Sequence, residues 1–502
     1  MTAVLDRIAA LSGHLYINGA YVPSQGERSP IVDPATEQVI GTLAHATADE
    51  IDDAVAHANA AQAQWWALSA RERGDALHEA ARKLRAQAPS LAEALTREMG
   101  KPYRESRWEC GDGAASSLSY YAELARHDAG RVAGPAIAGQ LQMVVKEPLG
   151  VVVSIVPVNF PVLLFVWQAA AALAAGNAII VKPSEQTAST MLMLMDAFDH
   201  LPAGLVQVVN GGAEVGRRLV EHAHTHAVAF TGSVPAAQAV AQAAAKRFKP
   251  TLIEASGNDP FIVMPSAPVE VAARGAAFAA FLNCGQVCTS AERIYVHEAV
   301  YDAFVAALVR EAKALRVGSG LARVDIGPMS SQRELQRVEG IVARAVEQGA
   351  DILCGGGRPA HCAQGWFYAP TVLAVRHDMD IMHGECFGPL APVCKVSSFD
   401  EAIRFANDSD VGLGANLYSH DLNEAMRAVA EIESGIVWVN TPLNDNDAIP
   451  FGGRKLTGSG RELGGEGLEQ FRRSKMVMIA PQALPDAEWF PYPDEDAFTA
   501  GD

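Results

Sequence analysis

GVVVSIVPVNFPVLLFVWQAAAALAAGNAIIV, residues 150–181, decides how the rest of the chain is read. It carries no charged side chain and exceeds the roughly 20 residues that a membrane-spanning helix requires. Its punctuation argues against a span. Pro157 and Pro161 flank Asn159, and Gly176-Asn177 closes the Ala/Leu-rich piece. The run therefore divides into a β-branched strand, a turn, a helix and a second β-branched strand. That is a buried βαβ unit, and no membrane partner is expected.

The alternation continues outward from this unit. IIVKP (179–183) is followed by a helical pattern over 187–200, LVQVV (205–209), a helix around 213–222, AVAFTG (227–232), a helix around 235–247 and TLIEA (251–255). Short apolar β-branched runs between Ala-rich helices predict an α/β fold with a parallel sheet covered on both faces, and ligands then sit at the carboxyl ends of strands. A second alternation begins with RIYVHE, passes through helices over about 299–315 and 331–348, and ends in ADILCGG, YAPTVL and IVWVN. No Pro/Ser-rich linker separates the two units, so the boundary near residue 256 reads as a cleft.

Composition bounds the partners. A chain of 502 residues exceeds what one core fills. Its 58 acidic against 40 basic side chains give a net charge of −18, which repels nucleic acid and anionic membranes. Seven scattered cysteines are the usage of a reducing compartment, and with Asp6 and Arg7 breaking any apolar leader the cytoplasm is the expected location. The first 125 residues hold DPATEQVIGTL and then an Ala-rich helical pattern from about 48 to 99, stopped by Gly100. Residues 131–147 alternate like an exposed hairpin whose edges need a partner, which predicts oligomerisation. The acidic tail after 483 offers Trp489, Phe490 and Tyr492 for docking on a neighbouring subunit.

Two cysteines, Cys284 and Cys288, share the stretch NCGQVCTSAERI (283–294). No matching His or second Cys pair lies nearby, so zinc is not indicated and no metal site is expected. A redox pair requires the segment to be helical, so that positions i and i+4 face alike. The polar turn Gly285–Ser290 instead exposes a thiol at the end of an element, and such a thiol needs a base or a lowered pKa. Glu254 closes the last strand of the first sheet and is the candidate base. Asn159, held between prolines, can donate to a developing oxyanion. No GxGxxG follows a strand. Gly232-Ser233, between a strand end and a helix, offers a phosphate cradle, and Lys182 with Glu185 leaves another strand end where a carboxylate accepts from ribose hydroxyls. Such a carboxylate repels a 2′-phosphate, which favours NAD over NADP.

Taken in order, YINGAYVPS, VDPATEQVIG, PVNFP, IVKPSEQT, FTGSV, IEASGNDP, NCGQVCTSAERI, ECFGPLAPV and PFGGRKLTGSGRELGGEGLEQF resemble the aldehyde dehydrogenase superfamily over nearly the whole chain. The resemblance implies a Rossmann-like cofactor domain (1–125 and 148–256), a second α/β catalytic domain (257–455), and an oligomerisation element with tail (126–147 and 472–502). It implies NAD-dependent oxidation of an aldehyde by a homodimer or homotetramer. Cys288 would be the nucleophile and Cys284 a bystander or oxidation partner. Asn159 and the Cys288 amide would hold the oxyanion, Glu254 would activate water, and Glu462 would relay protons or brace the site. For the cofactor it implies Lys182 and Glu185 at the adenine ribose, Ser233 with Gly232 at the pyrophosphate, Glu385 and Phe387 at the nicotinamide ribose, and Pro157 in the wall. Phe160, Leu164, Trp167, Val287 and Thr289 would line an aldehyde tunnel suited to a medium-sized apolar or aromatic substrate. Two positions depart from the pattern. Val158 stands where the family often has Trp, and Ser256 stands where it usually has Gly. CoA-acylating oxidation and a catalytically retired structural protein are the rival functions. Glu254 argues against the first, and the triple of Cys288, Asn159 and Glu254 against the second. A thiol redox sensor through the two cysteines is compatible with catalysis.

Overall fold

The computed structural model describes residues 3–127, 129–483, 485 and 489–490. Tyr492 and most of the acidic tail lie outside the described residues. The segment 150–181 forms the strand Val151–Ile155, the helix Pro161–Ala174 and the strand Ala178–Lys182, and every residue of the three is buried. Burial explains why the run is apolar on all sides: the helix is 14 residues long and lies inside protein. No helix among the described residues is long and apolar enough to cross a membrane. Gly176, at φ +97, closes the helix where any Cβ would strike the Trp66 ring. Asn177 then ties the ends together, accepting from the Gly150 amide at 2.8 Å and donating to Phe471 O at 2.9 Å.

The two strands sit in an eight-stranded sheet whose central members, Val206–Val208, Ala178–Lys182, Val151–Ile155, Ala227–Thr231 and Thr251–Glu254, are all parallel. His14–Ile17 and Gly458–Ser459 flank them antiparallel. The predicted helical stretch from 48 to 99 is two helices, Ala48–Trp66 and Ala70–Met99. Thr47 with Glu50 and Ser69 with Glu72 form capping boxes, so the break falls where Ser69 satisfies a new set of amide donors. The pattern over 187–200 is likewise shorter, the α-helix proper covering Ala188–Leu194 between single 3₁₀ turns.

A second sheet of seven strands begins as soon as the first ends, with Asp259–Val263 five residues after Glu254, and it contains Ala291–His297, Leu390–Val396 and Thr371–Val375. The hairpin Gly130–Ala133 and Leu141–Pro148 is extended by Arg472–Ile479 into a three-stranded antiparallel sheet. Val132 and Met476 stand 72% and 75% exposed on it.

Candidate active site

Strand order in the first sheet reverses beside Val151–Ile155: later strands add on one side through Val206–Val208 and then on the other through Ala227–Thr231. Such a switch point leaves a crevice at the carboxyl ends of the strands. A cavity of about 390 Å³ opens there. Pro157, Val158 and Asn159 enter its wall from one strand end, Thr231, Gly232 and Ser233 from the next, and Glu254 and Ser256 from the third. Cys288, Glu385 and Phe387 close it from the second unit. A smaller cavity of about 70 Å³ shares Cys288 and is lined by Phe160, Leu164, Trp167, Val287 and Thr289, joined by Trp108, Phe451 and Asp445. Cys288 therefore stands where an apolar tunnel meets a polar crevice.

Local chemistry fixes the Asn159 turn. The buried Glu109 carboxylate accepts from the Val162 and Leu163 amides at 3.0 and 3.3 Å, satisfying orphan donors at the start of the helix. Lys101 neutralises Glu109, both side chains being fully buried, and its Nζ lies 3.4 Å from the Phe160 ring centroid. Asn283 Nδ2 donates to Asn159 O at 3.3 Å and to Gln286 O at 3.1 Å, stitching the turn to the cysteine loop. Asn159 itself is 2% exposed, and its Oδ1 has no hydrogen-bond partner.

The cysteine loop is strained. Asn283 and Cys284 adopt left-handed φ values of +49 and +58, costing about 1–3 kcal/mol each. Gly285 follows at φ +69, where a Cβ would lie 2.0 Å from Gly388 O. Such a backbone lacks the regular helix on which an i, i+4 redox pair depends. Cys284 is 1% exposed, its Sγ 3.6 Å from Met329 Sδ, and burial pushes its thiol up. Cys288 is partly exposed. The Glu254 turn meets the Cys288 loop closely enough that a Cβ on Gly257 would lie 2.1 Å from Cys288 O, so glycine is required there.

Acids dominate the electrostatics. Burial pushes the Glu254 carboxyl up to about 7, the Asp445 and Glu385 carboxylates add to this, and the adjacent Cys288 thiol and Thr231 hydroxyl offset it in part. Neither Glu254 oxygen has a partner at hydrogen-bonding geometry. Burial, and then the Glu254 charge, holds the Cys288 thiol well above its ordinary value. Burial raises Glu385 to about 7, against the Ser256 hydroxyl, Arg337 and the Gly257 amide. The Ser256 departure thus places a hydroxyl beside Glu385. Solvent reaches Asp445 at the tunnel mouth, while the packing around it and then Asp447 push its carboxyl upward.

Three of the residues picked from the sequence stand outside the two cavity walls. Lys182 Nζ is buried against Pro183 O and Gly211 O at 2.8 and 2.9 Å, and Glu185 lies 3.9 Å from His45 Nε2. Gln186, one residue on, does reach the crevice. Glu462 lies deeper, its Oε1 accepting from Gln168 Nε2 at 2.9 Å. Gln168 also accepts from Ser154 Oγ at 2.6 Å and donates to Thr231 Oγ1 at 3.3 Å. Sequence reading overlooked Gln168, Glu109, Lys101, Asn283 and Asp445. Gln168 carried a signal, as the single amide in an apolar helix.

The aldehyde dehydrogenase family model matches residues 21–477. The 3,6-anhydro-α-L-galactose dehydrogenase of Vibrio sp. (strain EJY3) is 36% identical over 473 residues, 93% of this chain and 98% of that protein. The peroxisomal aminoaldehyde dehydrogenase 2 of Malus domestica is 36% identical over 480 residues, 93% and 95% of the two chains. Among solved structures, betaine aldehyde dehydrogenase from Staphylococcus aureus in complex with NAD+ superposes with a TM-score of 0.93 at 31% identity, covering 98% of this chain and 99% of that one. A 3,6-anhydro-L-galactose dehydrogenase in complex with NAP gives 0.90 at 37% identity, covering 93% and 100%.

Proposed function

The chain belongs to the aldehyde dehydrogenase family, and we propose that it oxidises an aldehyde to the carboxylic acid with NAD, through a covalent intermediate on Cys288. The reading rests on one observation, the single crevice whose wall carries Asn159, Glu254, Cys288 and Glu385 together with the Thr231–Ser233 turn.

The residues fit a dinucleotide. Ser233 begins the helix Val234–Ala245 without spending its side chain on a cap, which leaves its hydroxyl and the helix amides for a pyrophosphate at Gly232-Ser233. Pro157 forms the opposite wall. Lys182 and Glu185, beyond the crevice wall, would hold the adenine ribose and Glu385 with Phe387 the nicotinamide ribose, and the Glu185 carboxylate would disfavour a 2′-phosphate. When bound, the nicotinamide accepts the hydride that the aldehyde carbon gives up.

Glu254 takes the Cys288 proton, and the sulfur bonds to the carbonyl carbon. The new oxyanion accepts from the Asn159 side-chain amide and the Cys288 backbone N–H. Loss of hydride from that carbon leaves a thioester. Glu254 releases that first proton to solvent and then removes a proton from water as the water oxygen bonds to the thioester carbon; the C–S bond breaks, and Glu254 returns its second proton to the Cys288 sulfur as the acid departs. Glu462 braces Glu254 from behind.

For the substrate, the apolar walls support a medium-sized aliphatic or aromatic aldehyde. Asp445 favours a second reading, an aldehyde with an amino group at its far end: the carboxylate sits among Trp108, Trp167 and Phe451, faces that suit a cation. Incubating the protein with NAD and a panel of aliphatic, aromatic and aminoaldehydes while following NADH tests both. Silence across the whole panel would remove the proposal. We further propose a cytoplasmic homodimer or homotetramer. The seven unpaired cysteines and the apolar exposure of the three-stranded sheet support that reading.

A further inference from the structure

Far down the second unit, three side chains meet that the reaction does not use. His377 follows the strand Thr371–Val375, His383 follows the turn Asp380–Met382, and Asp408 ends the helix Phe399–Asn407. One donor atom from each lies within 4.8 Å of the others, the one such grouping of three among the described residues. His377 Nε2 is 3.0 Å from Asp408 Oδ2.

The His377 ring is held in place. Phe405 stacks on it at 3.8 Å and 15°. Its Nδ1 lies 3.1 Å from Tyr295 Oη, which accepts from Arg293 Nη1 at 3.4 Å and reaches Phe405 O at 3.4 Å. Without an ion, Nε2–H donates to Asp408 and the Tyr295 hydroxyl donates to Nδ1. Moving the ring proton to Nδ1, whose N–H then donates to Tyr295 as the Tyr295 proton turns to Phe405 O, frees Nε2 to face His383 and Asp408 as a ligand.

We infer that His377 Nε2, an imidazole nitrogen of His383 and the Asp408 carboxylate bind one divalent transition-metal ion of the zinc type. Two imidazoles and a carboxylate match zinc, nickel or copper, whereas magnesium prefers an oxygen set. Water completes a tetrahedral shell, because Asp408 is 65% exposed and His383 is open to solvent. Tyr295 fixes the tautomer of His377 from behind, as an outer partner does in protein metal sites. The spacing His377-His383-Asp408 spans two loops and a helix end, so no local motif announced it. Bound there, the ion ties the head of the segment carrying Glu385 and Phe387 to the helix Phe399–Asn407.

The test is calorimetric titration of the full chain with ZnCl2, in a Cys288→Ser background so that the accessible thiol does not compete. The expected result is saturable binding of one ion per chain and a rise in Tm on loading, with no saturable binding of MgCl2. His383→Ala and Asp408→Asn, both surface changes, each weaken binding by tenfold or more, and Tyr295→Phe by about tenfold through loss of the outer hydrogen bond. No saturable 1:1 binding would leave only a hydrogen-bonded His–Asp pair and overturn the site. Binding unchanged in both His383→Ala and Asp408→Asn would place the ion elsewhere, and magnesium binding as tightly as zinc would overturn the assigned class of metal.

Discussion

Acyl-enzyme hydrolysis should follow the ionised fraction of Glu254. Both of its oxygens are buried without hydrogen-bond partners, and its pKa is lifted to about 7 by that burial and by Asp445 and Glu385. The sign is that of a raised carboxyl: the base form is scarce below the midpoint and accumulates above it. One unit below, about one carboxyl in ten is ionised, and one unit above about nine in ten, so the hydrolysis rate constant rises about tenfold between pH 6 and 8. Stopped-flow mixing of enzyme and NAD with aldehyde separates the steps. The burst of NADH reports acyl-enzyme formation, and the following steady state reports hydrolysis wherever it is slower. Glu254→Gln should lower the second phase by about 10²–10⁴ and flatten its pH dependence. Asp445→Asn removes a charge that raises the midpoint, so this variant should hydrolyse faster than the parent near pH 7, where Asp445, itself pushed up to about 7, is ionised in part. A pH-independent second phase in the parent, with thioester detected by mass spectrometry at both extremes, would refute the reasoning.

Cys288→Ala should abolish NADH formation while Cys284→Ala leaves turnover near normal; loss with the second change alone, by the same absorbance assay, would overturn the choice of nucleophile. Replacing Glu109 with Gln strands the buried Lys101 charge, and thermal or denaturant unfolding should show a loss of about 3–5 kcal/mol. Pairing it with Lys101→Met should recover part of that loss. With aminoaldehydes, Asp445→Asn should raise KM and leave KM for neutral aldehydes of the same length unchanged; equal effects on both would remove the cationic reading.

The parallel sheet was legible because its strands are buried on both faces and must be apolar throughout, which marks Val151–Ile155, Ala178–Lys182 and Ala227–Thr231 without any alignment. The join between the helices Ala48–Trp66 and Ala70–Met99 was also written in the chain, as Ser69 three residues before Glu72, but Ala-rich periodicity on either side masked it. Glu254 and Asn159 could be chosen because each ends or follows a strand of one continuous alternation. What supports them could not. Gln168 meets Glu462 across 294 residues, and Ser117 meets Asp447 across 330. Such contacts depend on how the edge strand Gly458–Ser459 returns to the first sheet. No local pattern encodes that return.

The same buried contacts divide the work between two carboxyls. Burial, then the Glu254 charge, holds Glu462 well above its ordinary value, and the Gln168 amide offsets this in part. Gln168 is held in one orientation between them. Its carbonyl is committed to Ser154, so its amide can only donate, to Glu462 Oε1 and to Thr231 Oγ1. An amide locked in that sense passes no proton along, which favours a bracing role for Glu462 over a relay. Glu254 keeps the Thr231 hydroxyl and the Cys288 thiol as its neighbours. It is therefore the carboxyl placed to exchange its proton with sulfur or water, while Glu462 stays tied to Gln168 behind it.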